Sequence, residues 1–347
     1  MTGTLFKYIF KMQLKAMLFV SIFVFGLILL FDFAEVTRKY PISNMDETLF
    51  ALKLSLLRTP STFSEILHYV YFITATFSLW NLCKSHQITI LKSIGKSPRQ
   101  ILYPFLGFAA VVSGIWLFVF HPAGLFLETL YYKNTRSDVC SEKINDNVWI
   151  DCSKTDQMIF IKSIFRDKIE GLSIFNLKNG SRIFAKHANI NSSIWFLENV
   201  TTIDNDKIKN VDTLEIPGTV STDLVGLLSK SYKKQNIFDL YKIYKIQNKD
   251  HVILKEYELE LHKLLANCFS FLFFALAAAL ICFPINRYKT KTNTAIKVIF
   301  IAVFLKFANS MFESLAYGGV IPVQFACWAI LIMMTCISIA VLIWREV

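Results

Sequence analysis

The strongest constraint on this chain is its division into two sets of long apolar runs around a polar middle. The N-terminal third and the C-terminal quarter are apolar, while Leu130 to Glu260 reads as ordinary water-soluble sequence. A helix crosses a bilayer core with about 20 apolar residues, and backbone in hydrocarbon must satisfy its own hydrogen bonds. The apolar runs are therefore read as six transmembrane helices, over Ala16–Phe33, Ile66–Cys83, Ile101–Phe120, Leu264–Phe283, Val298–Tyr317 and Val323–Trp344. A hydrophobic fraction of 54% is too high for a water-soluble chain of this length and supports that reading. The expected organisation is three spans over residues 1–129, an inserted domain over 130–258 and three more spans over 259–347.

The charges orient the spans. A net charge of +11 would suit a nucleic-acid binder, but no fingered Cys/His spacing or aromatic-basic strand pattern accompanies it. The basic residues instead collect between spans, as in the cytoplasmic loops of membrane proteins. Lys7, Lys11 and Lys15 precede the first span. Lys84, Lys92, Lys96 and Arg99 fill an acid-free loop, and Arg287, Lys289 and Lys291 fill a second. Both termini are then cytoplasmic and the central domain lies outside. The first apolar run is longer than a signal-peptide core and no small-residue cleavage pattern follows it, so it is read as a span. In the second span the charged half around Lys53, Arg58 and Glu65 is either an extension of the same helix or an interfacial segment, with Pro60 at a kink or a helix start.

Within the first basic loop, Ile88, Ile90, Leu91 and Ile94 have the spacing of a short amphipathic helix, ended by Gly95 and followed by Pro98. Such a helix either rests in the headgroups or docks on a cytosolic partner. The polar middle alternates with period two over Val148–Ile150, Met158–Ile164, Gly171–Asn176, Arg182–Ala188, Ser193–Val200 and Lys209–Ile216. Turn residues such as Lys178-Asn179-Gly180 separate these runs, which predicts an all-β module, a sandwich or an open jellyroll. Thr222–Ser231 and Ile237–Asn248 have helical spacing. Cys140 and Cys152 flank a short polar stretch, and outside the cytoplasm a disulfide between them is chemically allowed, a pair of thiols being the alternative.

Catalytic patterns are missing. There is no phosphate-cradling loop, no nucleophile elbow and no paired His with metal-ligand spacing, so neither enzymatic activity nor a bound cofactor or metal is expected of this chain. Charge inside or beside apolar helices is the more informative signal, because it is costly in lipid unless it faces protein, water or a charged ligand. Asp32, Glu35, Arg38 and Lys39 lie where the first span ends, and Lys306 and Glu313 share one face of the fifth. One account is snorkelling and internal ion pairing. The other is an amphiphilic substrate whose anionic headgroup meets Arg38 and Lys39 while apolar walls take its chains.

Three groups of residues carry a family resemblance: "SHQITILKSIGKSPRQIL" (Ser85–Leu102), "ICFPINR" (Ile281–Arg287), and in the β-module Trp149, "GLSIFNL" and "WFLENV". In order and spacing they resemble the lipopolysaccharide export permeases, the LptF/LptG family, over essentially the whole chain. The first-span exit "FAEVTRK" and the Leu57–Pro60 stretch resemble the LptG branch. The resemblance implies a permease subunit of an ABC exporter in the cell inner membrane, with a periplasmic β-jellyroll. Its implied partners are a paralogous LptF or LptG subunit, a dimer of the cytosolic ATPase LptB that binds the ATP, the LptC and LptA proteins, and lipopolysaccharide. By position Arg38 and Lys39 are the implied substrate contacts, to which Lys306 is added on its charge within the fifth apolar helix, while Gln87, Ile88, Ile90, Leu91, Lys92, Ile94 and Gly95 form the implied ATPase-coupling segment. Gln87 stands where the family usually has Glu, and Phe31 or Asp32 where the LptG branch often has a basic residue. A permease for a lipoprotein or phospholipid, or a membrane scaffold or receptor, would share much of this layout.

Overall fold

In the computed structural model the described residues are 2–39, 44–85, 87–95, 98–135, 146–152, 156–165, 168–191, 194–204, 207–217, 224, 227, 235–250, 252–282 and 291–344. The chain divides into two compact units, residues 1–135 with 262–347, and residues 136–261.

The first unit is helical. Helix α1 spans Thr2–Lys39 and α2 spans Met45–Lys84. Short α3, Gln87–Ser93, leads to α4, Pro98–Ile115, a π-helical turn at Trp116–Phe120, and α5, His121–Thr135. Later in the chain come α7 (Lys255–Cys282), α8 (Lys291–Tyr317) and α9 (Val323–Trp344). Among the described residues six helical stretches are long and apolar enough to cross a membrane: Gly3–Lys39, Met45–Lys84, Gln100–Thr135, Lys255–Cys282, Ile296–Tyr317 and Val323–Ala340.

The first four of these begin well before, or end well after, the apolar run that marks them, because polar ends find local partners and stay helical. Asn44 and Glu47 form a capping box at the start of α2, satisfying N–H groups that a helix end leaves open. The charged first half of α2 is an extension of one helix, with Pro60 inside it. The third span does not stop at Phe120, as His121-Pro122 suggested. A proline ring clashes with the carbonyl four residues back, and a π turn is wide enough to relieve that clash. The His121 N–H reaches back five residues to Trp116 O, and the helix continues.

Helix α2 is the hub of this unit. Tyr71 donates to Phe105 O of α4 at 3.1 Å, and Trp116 Nε1 donates to Ser64 O at 2.8 Å. On its other sides the Cys282 thiol of α7 donates to Thr76 O at 3.3 Å, and Ser61 Oγ donates to Glu128 of α5 at 2.7 Å. Helices in lipid gain little from apolar burial alone and associate through close packing and such hydrogen bonds. The approach of α5 is tight: a Cβ on Gly124 would lie 3.2 Å from Ser61 Cα and 3.4 Å from Pro60 O. Backbone cannot swing aside as a side chain can. Overpacking of about 1–3 kcal/mol should outweigh the ~0.5–1 kcal/mol that alanine gains over glycine in a helix. Gly124→Ala is therefore expected to lower the unfolding midpoint in nanodiscs, and Gly124→Leu to lower it further; an unchanged midpoint in both would refute the contact.

The second unit holds an antiparallel sheet: β1 (Asp146–Cys152), β2 (Gln157–Phe165), β3 (Lys168–Asn176), β4 (Arg182–Asn191), β5 (Ile194–Asp204), β6 (Lys207–Pro217) and β7 (Val252–Ile253). Their order is β6-β5-β4-β3-β2-β1-β7, a meander in which each strand pairs with its sequence neighbour and β7 returns to β1. All six strands expected from the alternation are present, in a jellyroll-like domain. One face carries Ile150, Ile159, Leu172, Ile174 and Ala185, all buried, and the other carries the aromatic row Trp149, Phe160, Phe175 and Phe184. The β3–β4 turn is the one marked by Lys178-Asn179-Gly180. Gly180 takes a φ of +66°, and the Asn176 side chain accepts the Lys178 N–H at 3.0 Å. The Asp156 carboxylate, 2.9 Å from Lys178 Nζ, holds that ammonium above its ordinary pKa. Helix α6, Ile237–Asp250, is the second of the two helical stretches expected after the strands. The first, Thr222–Ser231, lies outside the described residues except for Leu224 and Leu227.

Cys152 is buried on β1, opposite Gln157 and Val252. Cys140 lies outside the described residues.

Candidate functional site

At the far end of α1 the chain concentrates charge on a packed apolar base. Val36 of α1, Ala51 and Leu54 of α2 and Tyr131 of α5 are buried together, with Phe33, Leu57 and Tyr132 against them. One turn away, Arg58 Nη1 lies 2.8 Å from Glu35 Oε2, and Arg58 Nε lies 3.9 Å from Asp32 Oδ1. Asp32 is buried and also accepts a hydrogen bond of 3.0 Å from Thr59. The acids at the end of the first span are thus neutralised from α2, by an arginine whose apolar surroundings require an ionic partner.

The two basic residues differ. Lys39 Nζ donates to Glu35 Oε1 at 2.7 Å, which spends its charge one helical turn below. Arg38 is exposed, and no acid pairs with it among the described residues. Of the two, Arg38 is the donor set that stands open to an anionic group, with a planar fork suited to phosphate.

A second polar locus runs along α8. Glu313 Oε2 is 3.2 Å from Lys263 Nζ of α7, and Asn309 Nδ2 donates to the Tyr69 hydroxyl of α2 at 2.8 Å. Sequence spacing had placed Lys306 and Glu313 on one face. The acid nevertheless bonds across helices to Lys263, and Lys306 stands exposed in the same row without an acid partner among the described residues. Helical spacing tells which residues share a stripe, whereas the choice of partner is made by the neighbouring helix.

The segment Gln87–Gly95 forms the expected short helix. Ile88 is buried, Leu91 half-buried, and Ile90 and Ile94 are exposed. Gly95 has φ +82°, the left-handed conformation that ends a helix and that glycine adopts without strain. Gln87 exchanges hydrogen-bond contacts with the Tyr8 hydroxyl of α1 at 3.3 and 3.5 Å, so the amide found in place of an acid binds within the chain. Lys92 belongs to α3, but its side chain lies outside what the structure describes.

Reading residues alone passed over Arg58 and Lys263 as partners. The available signal was the cost of a lone charge in an apolar helix, which predicts a partner without saying which one. Among the described residues no group of His, Cys, Asp and Glu is arranged to hold a metal ion.

Among the described residues, six helices long and apolar enough to cross a membrane, with an antiparallel sheet inserted after the third, give the layout of a multi-pass membrane protein. The sequence model described as "Lipopolysaccharide export system permease LptF/LptG" matches residues 7–345, and the chain belongs to that family. It is accordingly a multi-pass permease, a transport subunit, of the inner membrane. No curated protein matches the chain.

Proposed function

We propose that this chain is the LptG-type subunit of an ABC exporter that extracts lipopolysaccharide from the inner membrane and passes it to a periplasmic bridge. It pairs with an LptF-type subunit, takes its power from a dimer of the cytosolic ATPase LptB, and works with LptC and LptA. Both termini lie in the cytoplasm and the β-domain in the periplasm, in keeping with the basic, acid-free loops. The observation that carries the reading, beside family membership, is α3. It exposes Ile90, and the turn that follows exposes Ile94, while Ile88 buries, the arrangement of a helix held by its own chain on one side and offered to a partner on the other.

In this scheme closure of the ATPases upon ATP pushes α3 and narrows an apolar cavity formed with the partner subunit, a conformational step without covalent chemistry in this chain. Arg38 meets a lipopolysaccharide phosphate, Lys306 offers a second cation within the membrane, and Lys39 acts through its pair with Glu35. The test is photo-crosslinking of lipopolysaccharide to the assembled complex. Arg38→Ala is expected to lower crosslinking and substrate-stimulated ATPase activity about ten- to a hundred-fold, as for loss of a charge-assisted contact of ~1.5–3 kcal/mol. Lys39→Ala should do less, and the complex should stay assembled. Wild-type values in both assays for the Arg38→Ala/Lys39→Ala double variant would remove the headgroup role.

A further inference from the structure

Between α1, α2 and α4 runs an open groove of about 540 Å³, walled by Leu14, Leu18, Ile22 and Gly26 of α1, Leu67 of α2 and Val112 of α4. Ser21 is the one polar side chain among the described residues that line it. We propose that this groove is a binding site for one acyl chain of an anionic glycerophospholipid, whose headgroup is held by Lys7, Lys11 and Lys15.

Three observations converge on that occupant. The first is registry. Residues seven and eleven apart share a helical stripe, and each lysine repeats in this way onto the groove wall: Lys7 onto Leu14 and Leu18, Lys11 onto Leu18 and Ile22, Lys15 onto Ile22 and Gly26. The second is charge. All three lysines are exposed, no acid occurs on α1 before Asp32, and none of the three is ion-paired among the described residues. The third is shape. Leu14 to Gly26 runs about 18 Å along the helix axis, and the wall over that length is apolar except for Ser21, an elongated apolar strip that matches an extended acyl chain.

An acyl chain gains no hydrophobic free energy by leaving bulk lipid for a protein groove. Chain occupancy therefore gives fit without selectivity, and the lysines discriminate. A basic pocket between transmembrane helices is a recurrent anionic-headgroup site, with about 1 kcal/mol per lysine near the surface. This site lies at the opposite end of α1 from Arg38, and it stands or falls independently of the cargo proposed above.

The test uses the purified full chain in its native assembly, with phosphatidylglycerol and phosphatidylcholine of identical acyl chains as probes. Native mass spectrometry is expected to find phosphatidylglycerol retained over phosphatidylcholine. Lys7→Gln/Lys11→Gln should lower that preference roughly thirty-fold, and Lys7→Arg/Lys11→Arg should preserve it. Gly26→Leu adds a side chain where a Cβ meets no heavy atom within 4 Å, so it should fold and displace the chain. A photo-crosslinker at Ile22, with the lysines intact, is expected to label glycerophospholipid. Equal retention of the two lipids, or labelling of a polypeptide or of lipopolysaccharide in place of glycerophospholipid, overturns the site.

Discussion

With α3 as the proposed coupling helix, Ile90→Asp is expected to strip the proposed cytosolic ATPase from the purified protein while leaving the membrane fold intact. Ile90 is 56% and Ile94 66% exposed, so most of their apolar surface is available to a partner. A truncated or charged interface anchor costs about 2–4 kcal/mol, or roughly 30- to 1,000-fold in affinity. An Asp in an apolar groove adds the desolvation of a carboxylate to that loss. Ile94→Ala should weaken attachment by a smaller factor. The control is Ile88→Asp, whose site is buried: it should lower the unfolding midpoint as well as attachment. Co-purification and a thermal midpoint on each variant separate the two. If Ile90→Asp retains the ATPase, α3 is an interfacial rest and not a coupling element.

The second large effect concerns Arg58. Arg58→Met keeps the length and apolar stem of the side chain but removes the only cation that reaches both Asp32 and Glu35 among the described residues. Asp32 is then left buried, with the Thr59 hydroxyl donating to it at 3.0 Å. Breaking a buried ion pair from one side costs about 3–5 kcal/mol, and an exposed one ~0–1. With Arg58 partly open and Asp32 closed, the expected loss is about 2–3 kcal/mol. Asp32→Asn in the same chain should recover part of it, because a neutral amide tolerates the site. Four unfolding midpoints complete the cycle. Equal midpoints for Arg58→Met and the wild type would mean that solvent, and not Arg58, satisfies these acids.

These expectations draw on features of unequal legibility. The spans were readable because hydrocarbon permits so few backbone solutions, and the strands because one buried face enforces alternation. Gly95 and Gly180 were readable too, since one follows the end of α3 and the other closes the β3–β4 turn, each with the positive φ that glycine favours. Helix ends were less so. Lys39 stays helical through Glu35 and Met45 starts a helix through its Asn44 cap, local bonds that apolar content does not register. The continuation through His121-Pro122 needed a π turn, which has no sequence mark of its own. Partner choice was the least readable. Arg58 with Asp32, and Lys263 with Glu313, are decided by which helices pack side by side.

The contact between Tyr8 and Gln87 gives α1 a mechanical meaning. At 38 residues and 1.5 Å per residue, this helix is about 57 Å long. Near its start it is tied to α3, and near its end it is clamped to α2 by Arg58. A rod held at both ends cannot be displaced at one without loading the other: under the proposed coupling, movement of α3 is carried along α1 as strain on the Arg58 clamp beside Arg38, with no intervening loop to absorb it.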